Sequence, residues 1–440
     1  MTPSLAERMK EDQFAGYAYA YPHKTSYRPL EPPVPLSIAW QREEKNALFL
    51  YVHLPFCEMR CGFCNLFTAV RPATQFLLQT LDAIHRQSQV TAREIRPQQI
   101  SQVAFGGGTP SLLSVEELQR VFQRLSGTWP IDWNAARVSF EVSPATIDSE
   151  KLSLLRTYDV DRISMGIQSF SPHDLKSLGR PQSDRQVEAA IAAIRNAGFP
   201  VFNLDLIYGA DGQTEQSWLE TIERAVAAAP DELYLYPLYV REATGLGRTG
   251  RSPSAGRREL LLAARRVLLD AGYHQQSMRL FRRPGVASES DYCCQEDGMI
   301  GLGPGARSYT RSLHYSSEYA VSRAGVRRII ADFNARQDGE LACADYGVRL
   351  DAEEQRRRYL IKSLLRAPGL DLDAYQARFD AEAEDDFPQL AELAALGLGL
   401  REGRALRLTS DGLSWSDVIG PWLYSRRVAS RMEAFEIAEK

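Results

Sequence analysis

The 440-residue sequence has no apolar run approaching the length of a bilayer span, so no transmembrane helix is expected. Its first residues, Met1-Thr-Pro-Ser-Leu-Ala-Glu-Arg, lack the basic segment leading into an apolar one that marks a secretory signal. Cysteine is sparse at six residues, which excludes a disulfide-built scaffold and fits a reducing compartment. Basic excess is missing as well. Lys and Arg number 52 against 56 Asp and Glu, and the formal net charge of -4 argues against a general polyanion-binding surface. No nucleic-acid partner is expected. No low-complexity tract occurs. What the chain does have is length, enough for a domain of roughly 200–300 residues with one or two smaller units. The expectation is a soluble, cytoplasmic protein.

Three stretches differ in pattern. Residues 1–46 are rich in Tyr and Pro, with Tyr17, Tyr19 and Tyr21 alternating and Tyr27 following. They read as an extended arm, either packed outside a larger domain or closing over a site. From residue 47 to 335, short apolar runs of buried-strand length alternate with helical periods. The expected strands are Leu48–His53, Gln102–Phe105, Arg137–Val142, Arg162–Ile167, Phe202–Tyr208 and Leu233–Tyr239. Ser114 and Glu117 form a capping-box pattern before one intervening helix, and Gly198 ends another. Six βα units predict an α/β fold, a parallel sheet flanked by helices, either open or a partial barrel. The site is then expected at the carboxyl ends of the strands. From residue 340 to 440 the order helix, helix, hairpin around Gly403 is winged-helix-like, read as a packing or substrate-covering unit.

Three of the six cysteines, Cys57, Cys61 and Cys64, fall within eight residues just past the first strand, spaced C-x3-C-x2-C. Thiolates are soft ligands suited to iron–sulfur clusters or zinc. A closed four-iron cluster takes four cysteines, so three would leave one iron open to a small molecule. A zinc site completed from elsewhere, or unliganded thiols, are the other readings. Phe105-Gly-Gly-Gly-Thr-Pro110 follows the second strand, and glycines there permit close ligand approach or simply a tight turn. Glu141, Gln168 and Asp205 interrupt apolar strands near one sheet edge. A carboxylate is costly to bury unpaired, so the three together point to one polar ligand.

With Phe63 preceding the last cysteine, this motif resembles that of radical S-adenosylmethionine enzymes. "YVHLPFCEMRCGFC", "FGGGTPS", "FEVSPATID", "RISMGIQSF", "NLDLIYG" and "GLGPGARSY" resemble, in order, the blocks of the oxygen-independent coproporphyrinogen III oxidase-like (HemN-like) subfamily, from residue 51 to 309. The tail from about 350 to 425 resembles its C-terminal domain. The resemblance implies a partial (β/α)6 barrel and a [4Fe-4S] cluster on Cys57, Cys61 and Cys64. It also implies S-adenosylmethionine, one molecule or two, cleaved to a 5'-deoxyadenosyl radical that abstracts hydrogen from an organic substrate. Tyr51, Phe63, Gly107, Gly108, Thr109, Glu141, Gln168, Arg180, Asp205 and Tyr239 would line the cofactor. Arg180 would bind a carboxylate, and Tyr239 would contribute backbone only. The glycine-rich loop Met299–Tyr309 would border substrate or a second cofactor.

The true oxidases usually carry a further Cys where Leu66 stands here. That departure leaves the cluster intact and opens alternatives: a methyl or alkyl transferase using two S-adenosylmethionines, or a heme carrier. Heme carriage would need an axial ligand, for which His23, His53, His274 and His314 are available. Cys293 and Cys294 are read as incidental thiols or auxiliary ligands, and Cys343 as structural. The implied partners are a small-molecule substrate, tetrapyrrole-like or other, and an electron donor such as flavodoxin or ferredoxin.

Overall fold

The computed structural model describes residues 3–11, 13–14, 16–18, 20–286 and 297–438. Tyr19, Cys293 and Cys294 lie outside the described residues. The six expected strands are all present in one sheet. They are preceded in the chain by an arm strand, β1 (Arg28–Pro35), and comprise β2 (Leu48–Leu54), β3 (Ile100–Gly107), β4 (Arg137–Val142), β5 (Arg162–Gln168), β6 (Val201–Tyr208) and β7 (Glu232–Pro237). They pair in parallel in chain order. Both faces of β2 are covered, so its sequence is apolar almost throughout rather than alternating. Helices bridge the strands; Val115–Thr128 starts on the Ser114–Glu117 capping box, and Asp184–Ala197 ends on Gly198 in the left-handed region.

The sheet extends beyond six strands at both ends. β8 (Leu280–Arg282) adds antiparallel to β7. On the other side β9 (Met299–Leu302) pairs in parallel with β2, making a seventh parallel strand. β10 (Arg307–Tyr309), β11 (Leu313–Ser316) and β12 (Cys343–Arg349) continue antiparallel, and β1 closes that edge. The stretch Met299–Tyr309, expected as a loop, is therefore a hairpin of β9 and β10. Gly303 and Gly305 take positive φ in its turn (96° and 89°). Among the described residues the outermost strands do not pair with one another, so the barrel stays open.

The arm is neither free nor merely superficial. β1 is hydrogen-bonded to β12, and Tyr21, Tyr27 and Trp40 are fully buried. Leu5 and Tyr21 belong to the apolar cluster of the C-terminal unit, with Leu360, Leu364, Tyr375, Trp422 and Val428. β12 lies past residue 340 yet belongs to the main sheet, so that sheet overruns the division read from the sequence. Beyond it, Ala352–Leu364 is the expected helix. The second expected helix starts as a 3-10 turn, Pro388–Leu390, with the proline at a first position where no amide is needed, and continues as Ala391–Ala395. The hairpin Gly399–Glu402 with Ala405–Leu408 turns at Gly403, φ 59°. No helix among the described residues is long and apolar enough to cross a membrane.

Candidate active site

The cysteine loop leaves the carboxyl end of β2, and a short parallel pairing of Phe56–Cys57 with Ala69–Val70 ties its two ends together. Cys61 is buried; Cys57 and Cys64 are half-buried. All three thiols are free and lie near enough to perturb one another. Burial, then Cys64 and Cys61, pushes the Cys57 thiol up to about 12, and burial likewise raises Cys64. Each sulfur has a donor of its own. Thr109 Oγ1 donates to Cys57 Sγ at 3.6 Å, Arg180 Nη1 to Cys61 Sγ at 3.1 Å, and the Leu66 amide to Cys64. Among the described residues no three His, Cys, Asp or Glu side chains, the three cysteines included, are drawn together closely enough to hold a single metal ion. Three soft sulfurs, each with a donor, in one loop suit a cluster lacking its fourth protein ligand.

The glycine run is locked to this loop. The Gly108 amide donates to Leu54 O (2.8 Å) and Thr109 N–H to Phe56 O (2.7 Å). A Cβ on Gly108 would lie 2.3 Å from Phe56 O, and one on Gly107, whose φ is 108°, only 2.5 Å from the His53 ring. The glycines are thus demanded by the protein's own backbone and by His53. His53 was not singled out as their neighbour from sequence. It is buried, bonded to Tyr51 Oη (3.2 Å) and Phe67 O (3.1 Å), and burial keeps it neutral with a pKa near 4.

Glu141 on β4 and Asp205 on β6 face the same interior. The Gly107 amide donates to Glu141 Oε2 at 3.3 Å. Burial first, then Asp205, raises Glu141 to about 7. Burial also raises Asp205, against hydrogen bonds from Asn203 (2.9 Å) and Ser164 (3.5 Å). Gln168 ends β5 in the left-handed region, φ 69°, where the pairing with β6 slips by one residue. This is a costly conformation for a non-glycine residue at the carboxyl edge of the sheet. Phe63 packs with Leu178, Ile207, Leu238 and Leu246 beneath the loop.

Two of the expected cofactor residues have protein partners of their own. Arg180, expected on a carboxylate, is here held by Cys61, Gly166 O (2.6 Å) and Gln182 (3.1 Å). Tyr239, expected to matter through its backbone alone, binds Asp417 and Arg279 through its hydroxyl. Arg279 Nη2 donates to both Asp417 oxygens at 2.7 Å, and Tyr17 of the arm lies 3.7 Å from the guanidinium. This buried knot joins arm, sheet and C-terminal unit, and no local sequence signal marks it.

Comparison with known proteins matches residues 51–225 to the radical SAM superfamily and residues 350–415 to the HemN C-terminal domain. The heme chaperone HemW of Mycobacterium tuberculosis is 30% identical over 298 residues, 64% of this chain and 76% of that one. The chain belongs to the HemN-like branch of the radical SAM superfamily. HemW of Synechocystis is also 30% identical, over 272 residues, 59% of this chain and 65% of its own length. The oxygen-independent coproporphyrinogen III oxidase of Escherichia coli is 27% identical over 429 residues, 90% of this chain and 91% of that one. The solved structure of that oxidase superposes with a TM-score of 0.75 at 24% identity, covering 94% of this chain and 99% of the other, which shows the shared fold. This HemN-like protein accordingly takes the cofactors of its superfamily, a [4Fe-4S] cluster and S-adenosylmethionine.

Proposed function

We propose that this chain is a radical S-adenosylmethionine enzyme of the coproporphyrinogen III oxidase type, with Cys57, Cys61 and Cys64 holding the cluster. Once bound, the cluster and S-adenosylmethionine supply a 5'-deoxyadenosyl radical that abstracts hydrogen from the substrate. The chain's residues prepare that chemistry. Thr109, Arg180 and the Leu66 amide donate to the three sulfurs. Glu141, Gln168 and Asp205 offer the acceptors that a polar cofactor needs, and Gly107 and Gly108 keep the backbone low beside it. Tyr51, Phe63 and the Tyr239 backbone complete the lining, with Tyr51 held by His53. In this reading the core (47–335) carries the chemistry, and the arm (1–46) and the C-terminal unit (340–440) are its packing or substrate-covering parts. The substrate would be a small organic molecule, a porphyrinogen in the oxidase reading, with a flavodoxin or ferredoxin as reductant in the cytoplasm.

The observation that carries the oxidase reading is coverage: similarity to the E. coli oxidase spans 90% of this chain, against 64% for the M. tuberculosis chaperone. The heme-carrier reading retains one specific support, the 30% identity to HemW. Of its candidate axial ligands, His53 has both nitrogens engaged, His274 is exposed on a short edge strand, His23 is bonded to Thr25, and His314 is buried with both ring nitrogens lacking hydrogen-bond partners. Leu66 leaves the two-cofactor transferase open as a second reading. Anaerobic reconstitution with iron and sulfide, then reduction with S-adenosylmethionine and coproporphyrinogen III, tests the proposal. Formation of 5'-deoxyadenosine with decarboxylated porphyrinogen is expected, and Cys61→Ala should lose essentially all cluster iron. Unchanged iron in Cys61→Ala, or no cofactor-derived product from the wild type, would sink it. Stoichiometric heme binding without decarboxylation would select the carrier.

A further inference from the structure

The outer side of the cysteine loop carries charge that local stability does not call for. Cys61 is buried while Cys57 and Cys64 are half-buried, so two of the three thiols approach solvent. Leu66, two residues past Cys64, is apolar yet 50% exposed. The loop is fixed from one flank by the segment 319–321. The Tyr319 hydroxyl donates to Asn65 O (2.8 Å), with its ring between Lys24 Nζ (3.5 Å) and Phe435 (6.0 Å), and Arg60 Nη2 donates to Val321 O (2.5 Å). Two residues past Val321 begins the helix Arg323–Ala335, which packs against Ala69–Val70 where the two ends of the loop pair. Arg71 comes next in the chain. Its amide donates to Cys57 O (3.0 Å) and its guanidinium to Glu58 O (3.0 Å), from a left-handed backbone (φ 44°) that is costly without glycine.

The helix opens with charge of the unfavourable sign. Its first turn holds no acid and begins on Arg323, where the helix dipole disfavours a cation. Arg327 follows one turn later, and like charges four residues apart repel. Arg328 is paired with Glu318 (2.9 Å) and Asp332 (3.2 Å), whereas Arg323 and Arg327 are exposed and have no ion-pair partner among the described residues. Arg327 lies 5.7 Å from the Phe76 ring, and Phe76 meets edge-on the ring of Phe56 (6.4 Å), the residue before Cys57. On the loop and this helix, Arg60, Arg71, Arg323, Arg327 and Arg328 thus stand against Glu58, Glu318 and Asp332. The excess is positive on a chain whose net charge is -4. A local field opposite in sign to the whole molecule orients an acidic partner that the rest of the surface repels.

We propose that Leu66 with Arg71, Arg323 and Arg327 forms the docking surface for an acidic one-electron carrier protein, which passes its electron to the cluster through the cysteine loop. The carrier is oxidised and the cluster reduced by one electron, and no atom or proton is transferred. Interfaces of electron-transfer pairs are small and transient, so charge that steers the encounter matters more than buried area. The proposal rests on the reading that Cys57, Cys61 and Cys64 hold the cluster, and adds the side from which its electron arrives.

The test is stopped-flow reduction of the full-length, anaerobically reconstituted protein by a reduced acidic flavodoxin. Photoreduced deazariboflavin, a small uncharged reductant, is run in parallel, and iron and sulfide are measured for every variant. The wild-type second-order rate with flavodoxin should fall steeply as salt is raised. The double variant Arg323→Glu with Arg327→Glu should slow that rate at least tenfold at low ionic strength and lose the salt dependence, with its deazariboflavin rate unchanged. Leu66→Gln, which keeps the backbone amide, should weaken flavodoxin binding about threefold. Equal flavodoxin rates in wild type and double variant overturn the proposal, as does a wild-type rate indifferent to salt. Slowing by both reductants alike also overturns it, because the effect would then lie in the cluster itself. So does a changed sedimentation of the double variant with unchanged electron transfer, which would give this face to a second copy of the chain. A wild type that loads no cluster overturns the cluster reading and this inference together, which sets that failure apart from the others.

Discussion

Two ends of one barrel bury carboxylates in opposite ways. At the amino ends of the strands Glu232 is enclosed by Arg162 (2.8 Å) and Arg282 (2.8 Å), all three nearly inaccessible. Burial alone would raise its pKa, and the two guanidinium groups more than reverse that. At the cysteine end Glu141 and Asp205 face each other, and burial leaves both raised. The first set is complete in itself, with positive charge provided. In the second, the Gly107 amide, Asn203 and Ser164 donate to the carboxylates, and the added field of Arg162 does not offset burial. The same residue type in the same sheet is thus held by a direct arginine pair at one end and by neutral donors at the other.

Substitutions that test the contrast fall in order of expected size. Glu232→Ala leaves Arg162 and Arg282 buried without their shared partner and should cost about 3–5 kcal/mol in chemical denaturation. A cost below 1 kcal/mol would show that water reaches this end. Glu141 gives the opposite signature. Its folded pKa, about 7, lies above the value of 4.5 expected when unfolded, so the folded protein binds the extra proton. Stability is therefore lost as pH rises from about 4.5 through 7, by about 1–3 kcal/mol in the cofactor-free protein. Glu141→Gln should flatten that slope and weaken S-adenosylmethionine binding at least tenfold by calorimetry. A retained slope would remove Glu141 as its source. For Glu232, whose pKa is lowered, the sign reverses: its contribution is present above the unfolded value and disappears as pH falls through the folded one. Tyr239→Phe probes an intermediate case, the Asp417–Arg279 pair at the sheet rim. It removes one hydroxyl from a pair that stays intact, so about 1 kcal/mol or a few degrees of Tm is expected.

How far the sequence reveals this architecture depends on how many faces each strand buries. The six central strands are covered on both sides and announce themselves as apolar runs. β9 and β10 are short, with Gly301 inside β9 and Gly303 and Gly305 in the turn between them, so local pattern reads the stretch as loop. β1 holds four prolines in eight residues, a composition that argues against a strand; it is tolerated because β1 pairs on one side only. At the site, the cysteine spacing and the lone carboxylates on apolar strands were legible, because chemistry there contradicts burial. The partners were not. His53 against Gly107, Arg180 on Cys61, Asp417 on Tyr239 and Lys24 on Tyr319 join residues from 54 to 295 positions apart in the chain, and no local pattern encodes such pairings.

The placement of Leu5 and Tyr21 among residues 360–428 has a consequence for the order of folding. Contacts so distant along the chain close a very long loop, and the entropy of that closure must be overcome before the contacts reward it. Docking of the arm on this cluster is therefore a late event, one that follows assembly of the sheet lying between them in the chain.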